Sequence, residues 1–196
     1  MTESEGKLRF YTPEQVRKLI AAARSPEDGA IFTLASEAGP RLSEIRALKV
    51  GNVDFDVGVV RIEDGYTRMG GHAGTKGRRV RSVPMSDNVR ATLRPFCEGK
   101  ATEALVFEHQ YKPGEPICGS NLYRRFISAA ERSGLPHISF HDLRHSFGTQ
   151  AIRAFNIYEV QRMMGHRSIT TTERYLHYAP DPDAAAKLSR LWSKED

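Results

Sequence analysis

The chain reads as an α+β domain, mainly helical, with a small antiparallel β-sheet in its N-terminal half. Three observations predict this class. Apolar residues recur at helical spacing in several separated segments. Many of those segments carry a recognisable start or stop. β-forming residues are concentrated between residues 59 and 84, in runs separated by glycines.

Thr12-Pro13-Glu14-Gln15 opens the first helix, with Thr as cap, Pro at the first turn and Gln three residues on. Val16, Leu19, Ile20 and Ala23 then follow at helical spacing. A second helix is expected from Gly29 to Ala38, stopped by Gly39-Pro40, and a third from near Ser43, carrying Ile45 and Leu48. Val59–Ile62 and Arg79–Pro84 read as strands of a hairpin or small sheet. Ser86-Asp87-Asn88 opens a helix ending near Pro95-Phe96. Ala104–Phe107 is a short strand or a buried extended segment. Ser120–Ser133 is a helix closed by Gly134, and Phe140–Phe155 is another. Asn156-Ile157-Tyr158-Glu159 starts a helix that Gly165 ends. Ser168 or Thr170 opens a further helix through Tyr175. Residues 1–178 therefore form one domain. Residues 179–196 form a linker and a short amphipathic tail, with Leu188, Leu191 and Trp192 apolar.

The 196 residues include 39% hydrophobic ones, which suits a folded globular chain. Lys and Arg outnumber Asp and Glu by 29 to 24, and the excess is clustered. No acidic residue occurs from Gly65 to Ser86, a span holding Arg68, Lys76, Arg78, Arg79 and Arg81. Such a cluster points to a polyanion partner. The two cysteines form no pair motif, and no stretch resembles a leader or a membrane span, so a cytoplasmic setting is expected.

His141-Asp142-Leu143-Arg144-His145 is the densest chemical cluster. His141 and His145 share a helix face, as in some zinc sites. Arg144 between them would repel a cation, and no third ligand is evident, so no metal is expected. Arginine offers a planar fork of donors for phosphate oxygens. Histidine can move a proton, and a tyrosine hydroxyl among cations can ionise and attack phosphorus.

Three C-terminal stretches carry a resemblance: His141-x-x-Arg144-His145, Met164-Gly165-His166, and Thr171-Thr172-Glu173-Arg174-Tyr175. Two others match further upstream, Gly39-Pro40-Arg41-Leu42-Ser43-Glu44 and Thr75-Lys76-Gly77 leading into Arg81-Ser82-Val83-Pro84. Together they closely resemble the boxes of the tyrosine recombinases, or phage-integrase family, in the family's order.

The resemblance implies that Arg41 and Arg144 clamp a scissile phosphate. His141 and His166 would donate hydrogen bonds to it, one of them accepting the tyrosine proton. Lys76 would protonate the leaving 5′ oxygen, and Tyr175 would attack and carry a 3′-phosphotyrosyl link. Glu44 is expected to support the site, and His145 to be structural, facing the core or a backbone carbonyl. Tyr178 is the rival nucleophile. Arg68, Arg78, Arg79 and Arg81 are candidate DNA contacts, to backbone rather than bases.

The implied function is site-specific cleavage and rejoining of double-stranded DNA without metal, ATP or other cofactor, by a homotetramer on DNA. Alternatives are supercoil relaxation like that of a type IB topoisomerase, or a non-catalytic or autoinhibited DNA-binding regulator. Family members carry a helical core-binding domain before the catalytic one. Here the catalytic pattern begins within the first dozen residues, so such a domain is expected in the full-length protein. The tail is expected to pack at home or on a neighbouring subunit.

Overall fold

Helix α1 (Pro13–Ala21) begins where Thr12 and Gln15 cap each other's backbone N–H groups. The structure, a computed structural model, describes residues 8–63, 80–178, 185 and 189. Helix α2 (Pro26–Glu37) uses a similar device, with Ser25 as cap and Pro26 in the first turn, and so starts before the expected Gly29. Helix α3 (Leu42–Arg46) is short. Strands β1 (Val53–Asp54), β2 (Val59–Ile62) and β3 (Arg81–Pro84) precede α4 (Asp87–Cys97). Strands β4 (Glu108–His109) and β5 (Lys112–Pro116) come next. Helices α5 (Gly119–Arg132), α6 (Asp142–Ala154), α7 (Ile157–Met164) and α8 (Thr170–Glu173) complete the order.

Every residue of α2 from Ala30 to Ser36 is buried. A helix apolar on all sides has to be covered on all sides, and α1, α4, α5 and α6 pack around it. Phe32 of α2 meets Phe126 of α5 at 5.8 Å and Phe140, just before α6, at 6.4 Å. Phe126 and Phe140 are themselves edge to face at 5.5 Å, so one aromatic cluster ties the central helix to the segment that leads into α6.

The sheet has the antiparallel order β1-β2-β3. Val60 lies opposite Val83, and Ile62 opposite Arg81. Val60, Ile62 and Val83 are buried. Opposed residues point to the same side of a sheet, so Arg81 faces inward with them. The second ladder, β4 with β5, was not expected from the sequence. Residues 104–106 are an extended segment, buried at Leu105 and Val106, that bonds back to residues 48–50.

Helix α6 carries a run of buried residues from Ser146 to Thr149. Asn156 and Glu159 form the capping box of α7, and Gly165 ends it at φ +62°, a conformation that favours glycine. A Cβ at Gly165 would stand 3.1 Å from the Arg81 guanidinium, so this cap also lets the sheet approach α7. Helix α8 is shorter than expected: Tyr175 lies in the turn after it, held by a bond from its N–H to the Thr172 carbonyl. A 3-10 turn over Leu176–Tyr178 follows. Among the described residues no helix is long and apolar enough to cross a membrane. The amphipathic tail lies outside the described residues apart from Ala185 and Ser189, as do Arg68, Lys76, Arg78 and Arg79.

Candidate active site

Glu44, in the first turn of α3, is 2% exposed and is the organising carboxylate. It accepts the Arg41 backbone N–H at 2.7 Å and the Arg41 Nη1 at 2.9 Å. From the other side Arg81 donates through both terminal nitrogens, at 3.1 and 2.7 Å. Burial raises the carboxyl pKa, but the hydrogen bonds and charges of Arg81 and Arg41 outweigh it and hold the pKa at about 2. Glu44 is therefore charged at neutral pH.

This geometry corrects the expectation for Arg81. Its side chain is 9% exposed, paired with Glu44, and its Nε donates to the Met163 carbonyl at 2.8 Å. It ties the sheet to the end of α7 and to α3, and its guanidinium is committed inside the protein rather than offered to a DNA backbone. The sequence held a signal for this. Arg81 shares the period-two face of Val83, a core residue, whereas surface arginines fall on the opposite face.

Arg144, from the first turn of α6, is 2% exposed. It donates to the Gly39 carbonyl at 2.5 Å and to the Met164 carbonyl. These bonds bring the loop before α3, the start of α6 and the end of α7 to one place. Burial, then the nearby charges of Arg41 and Arg81, lower its pKa to about 9, and it stays charged at neutral pH. The side chains of Arg41, Arg81 and Arg144 bring three positive charges to the one negative charge of Glu44. The uncompensated excess favours an anion. Arg41, 34% exposed, is the member of the set that reaches solvent.

Tyr175 is 2% exposed. Its ring packs on Gly148 of α6, where a Cβ would come within 2.6 Å of the ring. His166 stacks on it, with planes 6° apart and centroids 6.2 Å apart. The Nδ1 of His166 is engaged by Thr172 Oγ1 at 2.9 Å. The Tyr175 hydroxyl bonds His145 Nδ1 at 2.8 Å. His145, expected to face the core or a carbonyl, thus touches the candidate nucleophile itself. His141 is exposed at the start of α6, and its ring meets His145 edge to face at 5.1 Å.

The electrostatics of the histidines and the tyrosine follow from this packing. Burial, reinforced by Arg144 and Arg41, lowers His166 to about 3. Burial and His141 lower His145 to about 4. Partial desolvation and then Arg144 also lower His141. Tyr175 is pushed up to about 12 because burial outweighs the opposing pull of Arg144 and Arg174. The two arginines do ease its ionisation, as expected from the sequence, but burial more than cancels their effect. Tyr178 lies in a different set of contacts. Its hydroxyl accepts the Leu8 N–H at 3.2 Å, and its ring sits edge to face on Phe10.

Residues from α3, β3, α6, the end of α7 and the turn after α8 thus form one basic site around a tyrosine. The chain belongs to the phage integrase family, whose model matches residues 9–181. It is 28% identical over 171 residues to the tyrosine recombinase XerA of Saccharolobus solfataricus, covering 85% of this chain and 51% of that protein. It is 31% identical over 186 residues to a tyrosine recombinase of Thermosipho africanus, covering 91% of this chain and 61% of the relative. The chain therefore spans about half to three fifths of the length of these relatives. The fold resembles that of the Tn1549 transposon integrase in complex with transposon right end DNA. That match has a TM-score of 0.76 at 22% identity, over 98% of this chain and 69% of the other. The catalytic domain of bacteriophage HP1 integrase matches with a TM-score of 0.64 at 24% identity, over 94% and 95%.

Proposed function

We propose that this domain cleaves and rejoins double-stranded DNA through a covalent link between Tyr175 and a 3′ phosphate, as a site-specific recombinase of the cytoplasm. One observation carries the reading: the hydroxyl of Tyr175 is held by a histidine inside a site with an uncompensated excess of arginine charge. Arg41 and Arg144 bind the non-bridging oxygens of the phosphate and stabilise the charge that develops on it. His141 and His166, neutral at pH 7, donate hydrogen bonds to the same oxygens. Glu44 and Arg81 keep Arg41 in place. Lys76 protonates the leaving 5′ oxygen, and Arg68, Arg78 and Arg79 contact the DNA backbone. Energy of the broken phosphodiester is kept in the phosphotyrosine. The family and the recombinases named above support this assignment. Assembly on DNA as a homotetramer, and an N-terminal core-binding domain in the full-length protein, are part of the same proposal.

The experiment uses a duplex with a nick near the scissile position, so that the cleaved fragment diffuses away. A covalent adduct is expected on a denaturing gel in EDTA, and Tyr175→Phe should abolish it. An adduct formed by Tyr175→Phe removes Tyr175 from the mechanism.

The 2% exposure of Tyr175 favours one further reading, an autoinhibited resting form in which DNA binds before the tyrosine is uncovered. Binding in a gel shift without an adduct on any nicked duplex is the result that supports it.

A further inference from the structure

The mechanism above leaves open which group takes the proton of Tyr175. His166 is poorly placed for it. Its ring lies parallel to the phenol with centroids 6.2 Å apart, while the hydroxyl is bonded on the His145 side. Its Nδ1 is also engaged by Thr172. His141 contacts the edge of His145. Among the described residues, the hydrogen-bond partner of the hydroxyl is His145 Nδ1, at 2.8 Å.

We propose that His145 is the proton acceptor for Tyr175, with Asp142 behind it stabilising the imidazolium that forms. This rests on Tyr175 being the nucleophile. Asp142 Oδ1 stands 3.9 Å from His145 Nε2, and its other oxygen is anchored by the Ser139 N–H at 2.7 Å. At that distance no hydrogen bond forms, and Asp142 acts on the imidazole through its charge, which favours the protonated ring. In the step, the Tyr175 O–H bond breaks and the His145 Nδ1–H bond forms. The phenolic oxygen bonds to phosphorus as the P–O5′ bond breaks, and the 5′ oxygen takes a proton from Lys76. His145 becomes a cation while the phosphodiester keeps its single negative charge.

The groups acting on His145 are His141, Asp142 and Arg144 from its own helix and its start, and Arg174 and Tyr175 from beyond α8; His166 stacks on the far ring. Arg144 and Arg174 oppose a charged imidazole. A bound phosphodiester offsets both, so the base strengthens when substrate arrives.

The test is single-turnover adduct formation by the full chain on the nicked duplex, with His145→Ala, His145→Asn and Tyr175→Phe. His145→Asn places an acceptor near Nδ1 that cannot take a proton at neutral pH. Both His145 variants are expected to be about 100-fold slower at pH 7, the usual scale of a lost general base. Their deficit should narrow by about tenfold per pH unit up to pH 9, because the phenolate fraction grows tenfold per unit below a pKa of about 12. DNA affinity in a gel shift should be unchanged. A wild-type rate in His145→Asn overturns the proposal in favour of a positioning bond. A deficit constant across pH overturns it in favour of packing, and if His145→Ala folds poorly, His145→Asn decides. An adduct from Tyr175→Phe defeats the underlying assignment instead, and leaves these outcomes separable.

Discussion

Glu44 allows the most quantitative test of how the site is held together. The perturbation is Glu44→Gln, which keeps the shape and removes the charge. In the fold the carboxyl is bound by Arg41 and Arg81 and has a pKa of about 2, against an ordinary 4.5. At about 1.4 kcal/mol per pKa unit, the ionised form contributes about 3 kcal/mol to stability at neutral pH. The folded pKa is depressed, so this contribution is fully present above about pH 4.5 and is lost as pH falls toward about 2. Near pH 3 about 1.4 kcal/mol of it remains. Guanidinium unfolding of wild type and Glu44→Gln from pH 7 down to pH 3 measures the difference directly. The gap between them should be near 3 kcal/mol at pH 7, of the size expected when one partner of a buried ion pair is neutralised, and should shrink by about half near pH 3. A gap below about 1 kcal/mol at pH 7, or one that stays constant on acidification, refutes the account of Glu44 as the carboxylate that organises the arginines.

Other outcomes follow from the same geometry. Gly148→Ala drives a methyl into the Tyr175 ring, and should cost about 1–3 kcal/mol and shift the tyrosine off His145; denaturation and a slowed adduct assay check both. Thr172→Val removes the partner of His166 Nδ1 while keeping shape. It should cost about 1 kcal/mol and free the His166 ring, visible as a moved imidazole resonance. In a proton NMR titration, His145 and His166 should remain neutral down to about pH 5, below the ordinary histidine value of 6.5, because their folded pKa values are about 4 and 3. Midpoints near 6.5 for both would contradict their burial.

The helices and their limits were largely legible because caps are local. Thr12 with Gln15, and Asn156 with Glu159, satisfy backbone groups within one turn, and a glycine in the left-handed conformation after α7 is a single-residue signal. The start of α2 was missed although Ser25-Pro26 carried much the same signal as Thr12-Pro13. The β4–β5 ladder was not legible, since Lys112–Pro116 contains two prolines and a glycine and owes its pairing to its neighbour strand. Most candidate site residues could be named from the sequence, but not what each one touches. Arg81 looked like one more surface cation in a basic run, and His145 looked structural.

The sequence by itself determined the helical α+β architecture, the family, and the residue types gathered for phosphate chemistry, because caps, periodicity and motifs are written over short spans. Only the tertiary structure decided the partners. Arg81 turns inward because its strand pairs Ile62 opposite it, Arg144 is fixed by carbonyls more than a hundred residues upstream and twenty downstream, and Tyr175 meets His145 rather than His166 end-on. Which side chain meets which depends on how helices and sheet pack, and on desolvation that no local pattern encodes. That packing also holds the tyrosine at about 12, because burial outweighs the neighbouring arginines that ease its ionisation.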